Sequence, residues 1–231
     1  YLLRTDEHYD VIVSEPSHPW RSGSAKLFTR EFFQLGKDHL SPGGVFSQWI
    51  HFYGIRSSEL KSVIKTFQSV FEFVLIFYTD AGDLIMLGSE TPFKIDRNEI
   101  TRKLSDPAVA KDLARAGIYS IFDLWAHFIL GPNEIERVTG NAALNTDDFT
   151  LVEFQTPKSL FEATMSVHIA EMKGAAAAGG NYLFLPDELD PVKAAGFYKI
   201  AEAFMNMEKQ QEAGEMIQKG LRLDANAEGE W

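Results

Sequence analysis

Glu15, Ser17, His18 and Trp20 sit within six positions of one another, at the end of the segment YDVIVSEPSHPW (Tyr9–Trp20). A carboxylate and an imidazole drawn partly out of water are suited to accept a proton from a reacting group, because partial burial moves their proton affinity toward neutrality. Glu15 reads as a general base or an anchor for an amine, and His18 as a second proton acceptor. Trp20 reads as a lid packed over a crevice. The plain alternative is a proline-rich turn in which Glu15 and His18 are merely hydrated.

The element that must carry these residues is the β-branched run Val11-Ile12-Val13, which Ser14-Glu15-Pro16 interrupts. A continuous apolar run of this length predicts a parallel strand buried on both faces. Ligands of open α/β sheets bind beyond the carboxyl ends of such strands. A helix is expected over Ala25–Leu40, with Leu27, Phe28, Phe32 and Leu35 at helical spacing, stopped by a turn at Ser41-Pro42-Gly43-Gly44. Val45–Phe52 reads as the next strand. Ser57 or Ser58 is placed to cap a helix running to Phe71, whose apolar face is Leu60, Val63, Ile64 and Phe67. Phe73–Thr79 is a third strand, and Asp80-Ala81-Gly82-Asp83 turns the chain into a fourth, Leu84–Gly88. Together these elements predict half of a doubly wound α/β sheet over residues 1–93.

Gln48 and Trp49 fall on opposite sides of the second strand, and Gln48 is favoured as the one facing the site. Tyr78 ends the third strand, where substrate contact and core packing compete. A second segment, 94–157, reads as a helical extension returning to the sheet. Asp106-Pro107 begins a helix within it, Gly131-Pro132 ends the apolar run Ile118–Leu130, and Thr150–Phe154 looks strand-like. Asp147 and Asp148 could reach a site, but local capping is favoured after Asn145-Thr146. From Leu160 onward the chain reads as mostly helical, through the low-complexity patch Gly174–Gly180, to a pair of helices opened by Asp190-Pro191. Phe197, Ile200, Ala201, Phe204, Ala213, Ile217 and Gly220 follow the pattern of one tetratricopeptide repeat over about 194–227. A single repeat cannot bury its own face, so this third segment, 158–231, is expected to find helical neighbours or a protein partner.

The chain has 231 residues, no cysteine and a formal charge of −11. The first number suits one large domain or two small ones, the second removes disulfides and thiolate chemistry, and the third argues against a nucleic-acid partner. His51, His127 and His168 lack ligand spacing, so no metal site is expected. No apolar run approaches the roughly 18 residues of a spanning helix. A cytoplasmic location is expected, with membrane tethering through a preceding region as the alternative. Because the chain begins at Tyr1, it is expected to be a piece of a longer protein.

YDVIVSEPSHPW, then LFTREFF, then LSPGGVFSQW, and finally LNTDDFTLVEF before a proline, resemble in that order the distal half of spermidine synthase-like proteins. The likeness is to the bacterial subgroup with C-terminal tetratricopeptide repeats, whose sheet is a variant of the class I S-adenosylmethionine-dependent methyltransferase fold. The resemblance implies a Rossmann-like fold and transfer from S-adenosylmethionine or its decarboxylated form to a small amine or other nucleophile. It places Glu15, Pro16 and Ser17 beside the cofactor and His18, Gln48, Tyr78 and Trp20 around the substrate. The glycine-rich loop that holds the nucleoside belongs to the family's first half, and no such motif occurs here. The chain by itself is therefore expected to bind no cofactor.

The family's two strand-end aspartates are Glu15 and His18 in this sequence, and no glutamate follows Gln48. A carboxylate about 4 Å from an ammonium is worth roughly 4 kcal/mol at an effective dielectric near 20. Losing two such pairs costs several powers of ten in affinity, so ordinary putrescine aminopropyl transfer is not expected. The rival expectation is a non-catalytic scaffold on the same sheet. Removal of the sheet's first half would bare the strand at Val11–Val13, and that edge is expected to be covered by the chain's own helices or in a homodimer.

Overall fold

A computed structural model describes residues 1–21, 23–79, 82–94, 96–159, 162, 164–179 and 194–227. The turn residues Asp80 and Ala81, the helical start at Leu160, and Asp190-Pro191 lie outside the described residues. The strands are β1 (Tyr9–Ser14), β2 (Leu40–His51), β3 (Phe73–Tyr78), β4 (Asp83–Ser89) and β5 (Phe128–Leu130). The helices are α1 (Arg30–Asp38), α2 (Ser57–Gln68), α3 (Arg97–Leu104), α4 (Pro107–Ala114) and α5 (Ile121–Ala126), followed by α6 (Pro132–Thr139), α7 (Leu151–Gln155), α8 (Met165–Gly179), α9 (Ala194–Asn206) and α10 (Gln210–Ala227).

The fold is mixed α/β, built on an open five-stranded sheet in the order β1-β2-β4-β3-β5. β1 and β2 are parallel, with Val13 opposite Ser47 and Ser14 opposite Gln48. β3 and β4 form the antiparallel hairpin, and β4 also pairs antiparallel with β2. Ser41–Gly44 is not the turn expected from Pro-Gly-Gly. Leu40 opposes Tyr9 while Val45 opposes Val11, so the segment bulges outward within β2. Gly43 supplies a positive φ there, and a Cβ on Gly44 would stand 3.1 Å from the Tyr9 carbonyl oxygen.

One side of the sheet is the core. Phe46, Ile50, Val74, Ile76, Leu84 and Met86 are fully buried. They pack with Phe33 of α1 and Phe67 of α2, whose rings meet edge to face at 5.0 Å. The single helix expected over 25–40 is a 3-10 turn (Ala25–Phe28) followed by α1, because buried Thr29 caps α1 by accepting the Phe32 N–H. α2 starts after Arg56 and ends at Gln68, three residues before the expected Phe71. Neither expected serine is its N-cap, and Ser57 Oγ donates to Glu171 at 2.6 Å.

The other side of the sheet overturns the expectation of a strand buried on both faces. Val11 and Val13 are 59% and 69% exposed, and β1 is the edge strand. Among the described residues neither a strand pairs with its outer edge nor a helix buries these two valines.

The chain divides into two compact units, residues 1–93 with 129–182, and residues 94–128 with 183–231. The first unit takes in residues beyond 129 because α6 packs on α2 and α8 on α6. In that unit Asn145 is fully buried; its side chain donates to Phe28 O at 3.0 Å, and its N–H donates to Thr66 Oγ1 at 2.8 Å. Thr150–Phe154 is helical (α7) rather than strand-like, with Val152 buried and its N–H directed to Asn145 Oδ1. Asp147 does not cap its own turn; it accepts from Thr29 Oγ1 at 2.8 Å at the start of α1.

In the second unit Asp106 caps α4 with Pro107 in its first turn, as the sequence predicts. Ser120 and Asp123 form a reciprocal capping box on α5. α9 packs on α10 and on α5, with Ile200, Ala201, Ala203, Ala213 and Met216 buried and Gly220 against the Tyr198 ring. Ile217, expected inside, is 40% exposed. Among the described residues no helix is long and apolar enough to cross a membrane.

Candidate functional site

The carboxyl ends of β1 and β2 lie side by side, and the segment after β1 folds back over the end of β2. Pro16 and Pro19 are buried, which pins that segment, while Ser17 and Ser24 share a hydrogen bond of 2.8 Å at its surface. The result brings His18 against His51: their Nδ1 atoms are 3.3 Å apart, with the rings nearly perpendicular at 88°. The Trp20 indole stacks on His18, at 4.6 Å between centroids and 6° between planes, and meets His51 at 4.7 Å, 87°.

Trp49 and His51 on one side of β2, with Tyr53 two residues beyond its end, complete the cluster. Alternation along a strand puts Trp49 and His51 on one side and Ile50 on the other. His51 lies 5.6 Å from the Trp49 ring and 4.7 Å from the Tyr53 ring. It is fully buried, and its Nε2 has no hydrogen-bond partner among the described residues. Burial, then the neighbouring His18, pulls its pKa down from 6.5 to about 4. His51 is accordingly neutral at pH 7. His18 is only half-buried, and among the described residues its Nε2 makes no hydrogen bond.

The residues singled out from the sequence divide into two groups. His18 and Trp20 are in this cluster, and Ser17 flanks it. Glu15 is exposed and makes no hydrogen bond or ion pair among the described residues. Gln48 faces the core: it is fully buried, its Nε2 donates to the Trp49 carbonyl at 2.9 Å, and its Oε1 has no partner among the described residues. Tyr78 also belongs to the core, opposite Leu84 and 6% exposed. Trp49 was set aside in favour of Gln48, His51 was weighed only as a metal ligand, and Tyr53 was not singled out, although the alternation of rings with Ile50 and Phe52 in WIHFY was the signal. A separate groove of about 660 Å³ beside α1 is lined in part by Leu3, Lys26, Arg30, Phe32 and Asp147, and takes in none of the cluster.

No family model matches this sequence. Among the described residues no group of three or more His, Asp or Glu side chains is arranged to hold a metal ion. The turns that start the sheet-packed helices are also unlike a nucleoside cradle. α1 is capped by Thr29 and α2 by Arg56, with no glycine-rich loop at either. These residues do not fit the nucleoside and amino-acid parts of an S-adenosyl cofactor. What the cluster fits is proton chemistry: a reachable imidazole nitrogen, backed by a buried imidazole and walled by rings.

Proposed function

We propose that this chain is the nucleophile-side portion of a spermidine synthase-like transferase with a Rossmann-like, methyltransferase-type sheet. In this reading an S-adenosyl group held outside the chain's own residues supplies the transferred fragment. The chain presents a small amine or other protic nucleophile and is not a standard putrescine aminopropyltransferase. The observation that carries the reading is the adjacency of the β1 and β2 carboxyl ends with His18 folded onto His51 between them. That is where an open α/β sheet places its reacting groups. Two further features support it: β1 is the edge strand, unpaired on its outer side among the described residues, which suits a neighbouring strand, and Glu15 is exposed just beyond its end.

Titration calorimetry with S-adenosylmethionine and its decarboxylated form, on a form of the chain extended upstream of Tyr1, tests the proposal. Cofactor binding by the extended form, with transfer to an amine that is lost in His18→Gln while that binding persists, supports it. Absence of binding by the extended form refutes it in favour of a second reading, a non-catalytic scaffold whose tetratricopeptide-like helical pair docks a protein. Met205, Ile217 and Leu221, between 40% and 52% exposed on α9 and α10, favour that second reading.

A further inference from the structure

We propose that His51 is a positioning residue: its Nδ1 accepts the Nδ1–H of His18, which leaves His18 Nε2 as the atom that takes a proton from the incoming nucleophile. The inference rests on the transferase reading for the nucleophile, but the hydrogen-bond direction stands on its own geometry. The two Nδ1 atoms are 3.3 Å apart, so one carries the hydrogen and the other the lone pair.

The surroundings of His51 decide which. Its Nε2 is buried without a partner among the described residues, in a cluster walled by Trp20, Trp49 and Tyr53. A buried imidazole stays uncharged, so when His18 takes up a proton and carries a hydrogen on both nitrogens, its Nδ1–H meets the lone pair of the His51 Nδ1 3.3 Å away. The hydrogen of His51 therefore resides on Nε2, its Nδ1 is the acceptor, and His18 carries its hydrogen on Nδ1. Burial reinforces the arrangement by keeping His51 uncharged.

The proton step then balances without ring movement. The N–H or O–H bond of the nucleophile breaks, its electron pair stays on the nucleophile, and the proton bonds to His18 Nε2. The resulting imidazolium still donates through Nδ1 to His51, and the stacked Trp20 ring keeps its face over the cation at 4.6 Å. The other titratable groups facing the pair are the Tyr53 phenol, whose ring lies 6.2 Å from His18, and Asp83, opposite His51 across the β2–β4 ladder.

Long-range nitrogen–proton correlation on the full 15N-labelled chain at pH 7.5 reads the tautomer of each imidazole, with His18→Gln assigning the His18 signals. The expected result is His18 protonated at Nδ1 and bare at Nε2. His51→Phe, which keeps a ring but removes the acceptor, shifts His18 toward the Nε2–H form that free imidazoles prefer. His51→Gln, which restores an acceptor oxygen, holds it at Nδ1–H. A wild-type His18 protonated at Nε2, or a tautomer indifferent to His51→Phe, overturns the proposal. If either variant fails to fold, the wild-type spectrum still decides. Failure of cofactor binding in calorimetry would leave these spectra unchanged, so the two ideas fall separately.

Discussion

Replacing His51 by phenylalanine should flatten the acid dependence of the first unit's stability. The interval between 6.5 and about 4, at ~1.36 kcal/mol per pH unit, is worth about 3 kcal/mol. His51 binds fewer protons in the folded chain than in the unfolded one across that interval. Stability is therefore full above pH 6.5 and falls as the pH drops toward 4. About 2 kcal/mol of the loss is complete by pH 4.5. Urea unfolding followed by tryptophan fluorescence, at several pH values from 7.5 to 4.5, measures the slope directly, because Trp20 and Trp49 touch the His51 ring. The expected outcome is a pH 7.5-to-4.5 stability loss about 2 kcal/mol smaller in His51→Phe than in wild type. Equal slopes in the two proteins would refute the claim that His51 is buried and neutral.

Two further outcomes test the framework around the site. Gly36→Ala should gain about 1 kcal/mol from helix propensity alone. A Cβ there would drive into the Phe46 ring, 2.7 Å from Cδ2, so a net loss of about 1–3 kcal/mol in denaturant titration is expected; a gain would mean that α1 rides higher on the sheet. Val13→Lys, at a position 69% exposed, should leave stability within about 0.5 kcal/mol of wild type, and a larger loss would show that the outer side of β1 is covered in solution.

Much of the sheet was legible because its signals are local. The Val11–Val13 run, the polar break after it and the turn before Asp83 produce the strands and hairpin that the structure shows. Burial of β1 was not legible, since β-branched runs suit a pleated surface whether its far side is covered or open. Thr150–Phe154 was misread because tertiary context overrides local propensity: Asn145 Oδ1 accepts the Val152 N–H within a helical turn. At the site, His18 and Trp20 could be picked out by type and by their place after a strand. His51 could not be linked to His18, because contact between residues 33 apart follows from parallel pairing and from the path of a proline-pinned loop. Gln48 was favoured over Trp49 because only one of two adjacent strand positions can face a site, yet the alternating rings of WIHFY marked the other side of the strand.

The first unit is assembled from two stretches of sequence, and this has a kinetic consequence. Ile129, Leu130, Ile135, Val152 and Met172 fill the same core as Phe33, Phe46 and Phe67. Asn145 ties that core together through partners 79 and 117 positions away. On a ribosome the early strands would emerge with their core unfinished and with apolar surface awaiting residues not yet made. Such long-range closure slows folding and lengthens the exposure of sticky intermediates. Chaperone dependence during synthesis should thus track the appearance of Asn145 and the helices around it, rather than completion of the sheet.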